Sequence, residues 1–186
     1  MPRSPYHHGD LRATILTAAA ALVAQRGADA VSLRELARAA GVSHAAPAHH
    51  FTDRRGLFTA LAAQGYTMLA TALEQARPDF IDAAVAYVGF AIDNPGHYAV
   101  MFDRSLVDPD DPELVAAEAS AAAELSAGVG SLDDPKAKAD PDTARLAAWS
   151  LVHGFATLWL NDAVPRDDPE TLVRRLGLML FDEARC

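Results

Sequence analysis

At 186 residues the chain can bury a sizeable core without metal or disulfide staples, and 51% hydrophobic against 22% charged residues suits a soluble, helix-rich globular protein. Its formal charge of −9 is unevenly shared, which excludes a uniform polyanion-binding surface: residues 1–64 hold seven Arg against four acidic residues, a balance of +3, while the rest stand at −12. The single cysteine, Cys186, excludes an intramolecular disulfide and reads as a cytoplasmic, reducing setting.

The first element is a helix with Leu11, Ile15, Ala18 and Leu22 on one stripe, Asp10 as its N-cap and Gly27 as its stop. Its apolar stretch ILTAAAALVA (15–24) follows Arg3 and Arg12, as in a signal peptide. Asp10 in the basic region makes an amphipathic helix the better reading, and no apolar run approaches the ~18 residues of a membrane span. SLRE (32–35) is a capping-box pattern opening a short second helix with Leu33, Leu36, Ala37 and Ala40 inward, ending at Gly41. Ser43 is the expected cap of a third helix, about 43–50, and Asp53 of a fourth running from Arg54 to about Gln75.

Beyond Pro78, helices are expected over 79–93, 95–106, 112–130, 141–162 and 168–184, separated by Asp- and Pro-rich loops at 107–111, 131–140 and 163–168. The fold class is all-α, with about nine helices and no strand pattern, repeat or glycine-rich phosphate loop. Two domains are expected, 1–66 and 67–186.

Three helices with a Gly-Val-Ser turn between the second and third form a tri-helical helix-turn-helix pattern. Arg54 and Arg55 open the fourth helix, where amide and guanidinium groups could together hold a phosphate. The segment VSLRELARAAGVSHAAPAHHFTDRRGLFTAL (31–61) resembles the DNA-binding signature of the TetR family of bacterial transcriptional regulators, a likeness that covers roughly 8–66. NPGHYAVMF (94–102) and AAWSLVHGFATLWL (147–160) resemble the regulatory domain of a TetR subgroup with a Trp-x-x-x-His-Gly signature, here Trp149, His153 and Gly154.

The resemblance implies that Ser32 and Arg54 meet phosphates and that Ser43 caps the recognition helix. It places His44, Ala45, Ala48 and His49 on the groove side, Pro47 and Phe51 on the core side, and His50 near the edge. Ala48 departs from the family, which usually carries a Tyr there that reaches the DNA backbone. Helical periodicity gives the same division of faces. His44, His49 and His50 lack the i, i+4 spacing of a two-histidine metal site and have no Cys to complete one. No metal, cofactor or catalytic residue is therefore expected.

An apolar effector pocket is expected from Tyr87, Phe90, Tyr98, Met101, Phe102, Trp149, His153, Phe155 and Trp159, although such aromatics serve equally as plain core. His153 reads either as a core histidine or as the polar group of that pocket. Gly154 and Gly177 interrupt long helices, for which close helix approach is the expected compensation. By resemblance, the last two helices, about 141–184, form a homodimer interface. The implied function is a dimeric, cytoplasmic, non-enzymatic repressor that binds a palindromic double-stranded DNA operator and is released by a small, largely apolar effector. The competing reading is an all-α small-molecule-binding protein or enzyme on the same scaffold without specific DNA binding. It is motivated by Ala48 and the few hydrogen-bonding side chains of the third helix.

Overall fold

The computed structural model describes residues 8–165 and 167–181, so Cys186 lies outside the described residues. Ten α-helices and one 3-10 turn make up the regular structure there, and the fold is all-α. In order these are α1 (His8–Arg26), the 3-10 turn (Ala28–Ala30), α2 (Leu33–Ala39), α3 (Ala46–Phe51), α4 (Arg54–Gln75) and α5 (Phe80–Asp93). They continue with α6 (Pro95–Met101), α7 (Pro112–Gly130), α8 (Pro135–Ala139), α9 (Pro141–Leu160) and α10 (Pro169–Leu180). None of the described helices is long and apolar enough to cross a membrane.

Four elements differ from the sequence expectation. α1 begins at His8, so Asp10 lies within the helix and is not its N-cap. α3 begins at Ala46, not near Ser43. α6 stops at Met101, because Asp103 forms a competing turn: its carboxylate accepts from the Ser105 amide and hydroxyl at 2.9 and 2.6 Å. Those hydrogen bonds also hold the Asp103 carboxyl below its usual pKa. Finally, the expected loop at 131–140 contains α8, capped by the buried Asp134 carboxylate, which accepts from the amides of Lys136 (2.7 Å) and Ala137 (3.0 Å).

The chain divides into two compact units. The first comprises the chain up to Gly65 together with Asn94–Val115, so that α6 belongs with the N-terminal helices even though it follows α5 in sequence. α6 packs chiefly on α1. Gly96 makes this contact possible: a Cβ there would run into the Ala20 backbone oxygen. Gly65 is also tight, but there a Cβ would stand 2.6 Å from Sδ of Met101, the movable end of a flexible side chain. Ile15, Leu16, Leu36, Leu57, Phe58, Leu61 and Val100 are all buried in this unit, with 1% exposure or less.

The second unit comprises Tyr66–Asp93 and the chain from Ala116 onward. Its core joins Phe80 and Ile81 of α5, Val129 of α7, Leu132, Ala137 of α8, Ala144 and Ala148 of α9, and Phe181. Gly177 lets α10 approach α5 closely, since a Cβ would lie 2.6 Å from Ile81 Cδ1. Gly154 has no such reason within the chain: a Cβ there meets nothing within 4 Å, contrary to the expectation of close approach.

Gly96→Ala is expected to lower stability by roughly 1–3 kcal/mol, because backbone cannot yield as a side chain can, and Gly65→Ala by distinctly less. Urea unfolding of the two variants checks this; equal losses would contradict the packing described for α6.

Candidate nucleic-acid interface

The capping box at the start of α2 forms as the sequence implies. Ser32 Oγ accepts from the Glu35 amide at 3.2 Å and donates to Glu35 Oε2 at 3.0 Å, while the Ser32 amide donates to the same oxygen at 3.3 Å. Ser32 therefore stabilises the helix start, though it remains exposed. After α2, Gly41 adopts φ 66°, a conformation that costs glycine little, and the Val42 amide donates to the Ala37 carbonyl at 3.0 Å.

Ser43 does not cap α3. The N-cap is Ala45, without a side-chain hydrogen bond, and Ser43 contributes its carbonyl, which accepts from the Ala46 amide at 3.0 Å. Residues 44 and 45 form a turn that places Ser43 two residues before the cap position, and only the Ncap side chain is placed to accept from the first-turn amides. Pro47 becomes the second helical residue, where a missing N–H leaves nothing unpaired. Pro47 and Phe51 are buried, whereas Ser43, His44, Ala45, Ala48 and His49 are exposed and His50 is half-buried. The exposed residues lie on the short helix and on its approach. The His49 and His50 rings lie edge to face, 5.5 Å apart.

A tight corner joins α3 to α4. Thr52 has φ 64° and ψ −59°, and the Asp53 amide donates to the Phe51 carbonyl at 2.7 Å, the geometry of a γ-turn. That conformation strains a β-branched residue. Gly56 is required beside it, because a Cβ there would run into the same Phe51 oxygen. Asp53 Oδ1 accepts from the Gly56 amide at 2.8 Å and so caps α4 as expected.

The two arginines at the α4 entry each bind backbone oxygens while staying open to solvent, Arg54 in part and Arg55 largely. Arg54 donates from Nε to the Val31 carbonyl (3.1 Å) and from Nη2 to the Ala28 carbonyl (2.8 Å), and its guanidinium lies 4.7 Å from the Phe58 ring centroid. Arg55 donates from Nε to the Val107 carbonyl at 3.0 Å. By sequence these groups are expected to join helix amides around a phosphate; within the first unit they also bind backbone oxygens. Sequence reasoning misses Arg34 and Arg38, both exposed on α2. Their i, i+4 spacing is the available signal.

The nine effector-pocket candidates divide between the two units. Tyr98, Met101 and Phe102 lie in the first, with the Tyr98 and Phe102 rings 5.2 Å apart. Tyr87, Phe90, Trp149, His153, Phe155 and Trp159 lie in the second, where Phe155 and Trp159 are buried with ring centroids 5.9 Å apart. Three of them form a polar cluster. Trp149 Nε1–H donates to the Tyr87 hydroxyl at 3.3 Å, and that hydroxyl lies 3.1 Å from His153 Nδ1. Tyr87 also lines a cavity of only about 10 Å³, with Phe80, Ala84, Leu125, Ala148 and Val152 among its neighbours. A larger cavity of about 310 Å³ opens between the end of α7, α8 and the start of α9, over Val129, Leu132 and Ala137, and none of the nine lines it.

Two family models match the chain: bacterial regulatory proteins of the tetR family over residues 15–61, and the tetracyclin repressor-like C-terminal domain over 80–180. A protein of unknown function from Rhodococcus sp. RHA1 is 32% identical, with a TM-score of 0.75, over 96% of this chain and 97% of that one. The TetR family transcriptional regulator PfmR from Thermus thermophilus is 22% identical over 89% and 96% of the two chains, with a TM-score of 0.67. NalD of Pseudomonas aeruginosa, the secondary repressor of the MexAB-OprM multidrug efflux pump, is 22% identical over 94% and 95%, with a TM-score of 0.63. No curated protein matches the chain.

Burial lowers the pKa of His153, and also of His97, whose Nε2 bonds Gln64 Oε1 at 3.0 Å. Both histidines are thus held neutral by the fold, while in the unfolded chain they take up protons first, near pH ~6.5. Stability is full above that pH and is lost progressively as pH falls through it toward the lower folded values. The urea midpoint is expected to fall between about pH 7.5 and 5.5, and to fall less in His97→Gln and His153→Gln. An identical pH response in the wild type and both variants would contradict this.

Proposed function

This chain belongs to the TetR family of bacterial regulatory proteins, and on that premise we propose that it is a dimeric transcriptional repressor, released from a palindromic operator by a small, largely apolar effector. The observation that carries the reading is the division of α3: Pro47 and Phe51 are buried beneath it, while His44, Ala45, Ala48 and His49 face outward. Two small residues admit close approach to thymine methyls, and two imidazoles can meet base edges or phosphates. Ser43 lies at the entry of this face and His50 at its edge. Ser32 and Arg54 hold the frame from which it projects, by capping α2 and by binding the turn that precedes it.

Homodimerisation through α9 and α10 is supported by apolar side chains left in the open. Leu146 and Leu158 of α9 are 54% and 48% exposed, and Met179 of α10 is 83% exposed. Apolar groups gathered on two helices mark a partner surface, and a second copy supplies the same two helices. Gly154, with open space beside it on α9, suits the close approach of that copy. A dimer presents two α3 helices to successive major grooves, which is why a two-fold symmetric site is the expected operator.

The effector reading rests on Tyr87, Trp149 and His153 of the second unit, a polar cluster in company with Phe90, Phe155 and Trp159. Tyr98, Met101 and Phe102 belong to the first unit and add nothing to this support. An effector acts by binding one arrangement of the protein more tightly than the other. The protein works in the cytoplasm, without cofactor or metal, and is not an enzyme.

Selection of bound duplexes from a random pool tests the whole reading. The expected enrichment is an inverted repeat with half-sites about one helical turn, ~10 base pairs, or a multiple of it, apart. Recovery of unenriched sequence would favour the competing reading, a small-molecule-binding protein on the same scaffold.

A further inference from the structure

Resting on the DNA-binding reading, we infer that Arg34 and Arg38 of α2 supply the phosphate contacts of the N-terminal unit, and that Arg54 is a positioning residue. The inference comes from where the guanidinium groups of α1, α2 and the start of α4 are engaged. Arg12 pairs with Glu113 at 3.2 Å, Arg26 with Glu35 at 3.7 Å, Arg54 binds the Ala28 and Val31 carbonyls, and Arg55 binds the Val107 carbonyl. Among the described residues, Arg34 and Arg38 have no ion pair and no side-chain hydrogen bond.

Their placement on α2 is specific. Leu36 and Ala37 face the core, and Arg34 and Arg38 stand one turn apart on the exposed side. The nearby Glu35 carboxylate is engaged by Ser32 and Arg26 and forms no ion pair with either of them. Two like charges at i, i+4 weaken a helix of seven residues when nothing neutralises them. A row of phosphates spaced along a nucleic-acid backbone relieves that repulsion, and guanidinium groups bind phosphate in bidentate fashion. In a helix-turn-helix the helix preceding the recognition helix crosses the backbone, which brings this side of α2 to the phosphates.

Arg54 has a different task. Its two hydrogen bonds tie the start of α4 to the Ala28–Val31 segment, which leads directly into the Ser32 cap of α2. It fixes the angle between α2 and the α3–α4 corner, and acts on DNA through that geometry.

Salt dependence separates the two roles, because the slope of log affinity against log salt reports how many phosphates the protein neutralises. Full-length wild type, Arg34→Ala, Arg38→Ala, the double variant, Arg54→Ala and Arg54→Lys are titrated against one duplex recovered by selection, from about 50 to 200 mM salt. Each α2 substitution is expected to reduce the slope by about 0.9 for every phosphate no longer neutralised, hence about 1.8 for a dimer, with an unchanged melting temperature. Arg54→Ala is expected to lower melting temperature and affinity at every salt concentration while keeping the wild-type slope. Lys at 54 is not expected to rescue, since an ammonium cannot reproduce the forked donation to two carbonyls. A wild-type slope in the α2 double variant, or a reduced slope in Arg54→Ala, overturns the assignment while leaving DNA binding intact. Salt-insensitive or absent binding by the wild type overturns the DNA-binding reading itself, and this inference with it.

Discussion

The Phe51 carbonyl is the pivot of the N-terminal unit. It accepts the Asp53 amide in a γ-turn, excludes any side chain at Gly56, and closes the last turn of α3 against the first of α4. The positive φ of Thr52 costs of order 1–3 kcal/mol, since nothing about threonine favours that region. Burial of the Phe51 side chain returns a comparable ~1.5–3 kcal/mol, so the corner by itself is close to balance. The hydrogen bonds from Arg54 to Ala28 and Val31, with charged-donor values of about 1.5–3 kcal/mol each, add to its stability. The corner ties the last turn of α3, a helix of six residues, to the first turn of α4, and so sets which face of α3 lies opposite Phe51.

The parts of this arrangement that depend on neighbours in sequence were legible beforehand. The Ser32–Glu35 capping box, the Asp53 cap and Gly41 as the turn residue follow from spacing, and the burial of Pro47 and Phe51 from the family resemblance, with which helical periodicity agrees. Errors arose where tertiary contacts decide. Ser43 has the chemistry of a cap, but the chain turns once more before α3, so its side chain is left outside. Five residues cannot show a helical period, so α8 was hidden in an Asp- and Pro-rich stretch, although Asp134-Pro135 is a good helix start. The same limit applies to Arg54: sequence shows a cation near a helix start, and only the fold shows that its donors meet carbonyls.

The second unit is built on a similar contrast between local and tertiary causes. Gly177 and Gly154 look equivalent as glycines interrupting apolar helices. One is explained by Ile81 inside the chain, and the other faces open space on a helix that also exposes Leu146 and Leu158. The polar cluster of Tyr87, Trp149 and His153 brings three hydrogen-bonding side chains together in the second unit. Trp149 and His153 stand four apart on α9, whereas Tyr87, 66 residues from His153, is paired with them only by the fold.

On the proposed function, a fixed, short α3 reads DNA as one of two symmetric copies. Hydroxyl-radical footprinting of the selected duplex tests this most directly. The predicted pattern is two equal protected patches per strand set, related by a two-fold axis, on one face of the duplex and about one helical turn apart or a multiple of it. A single protected patch, or uniform protection without a two-fold centre, would contradict it.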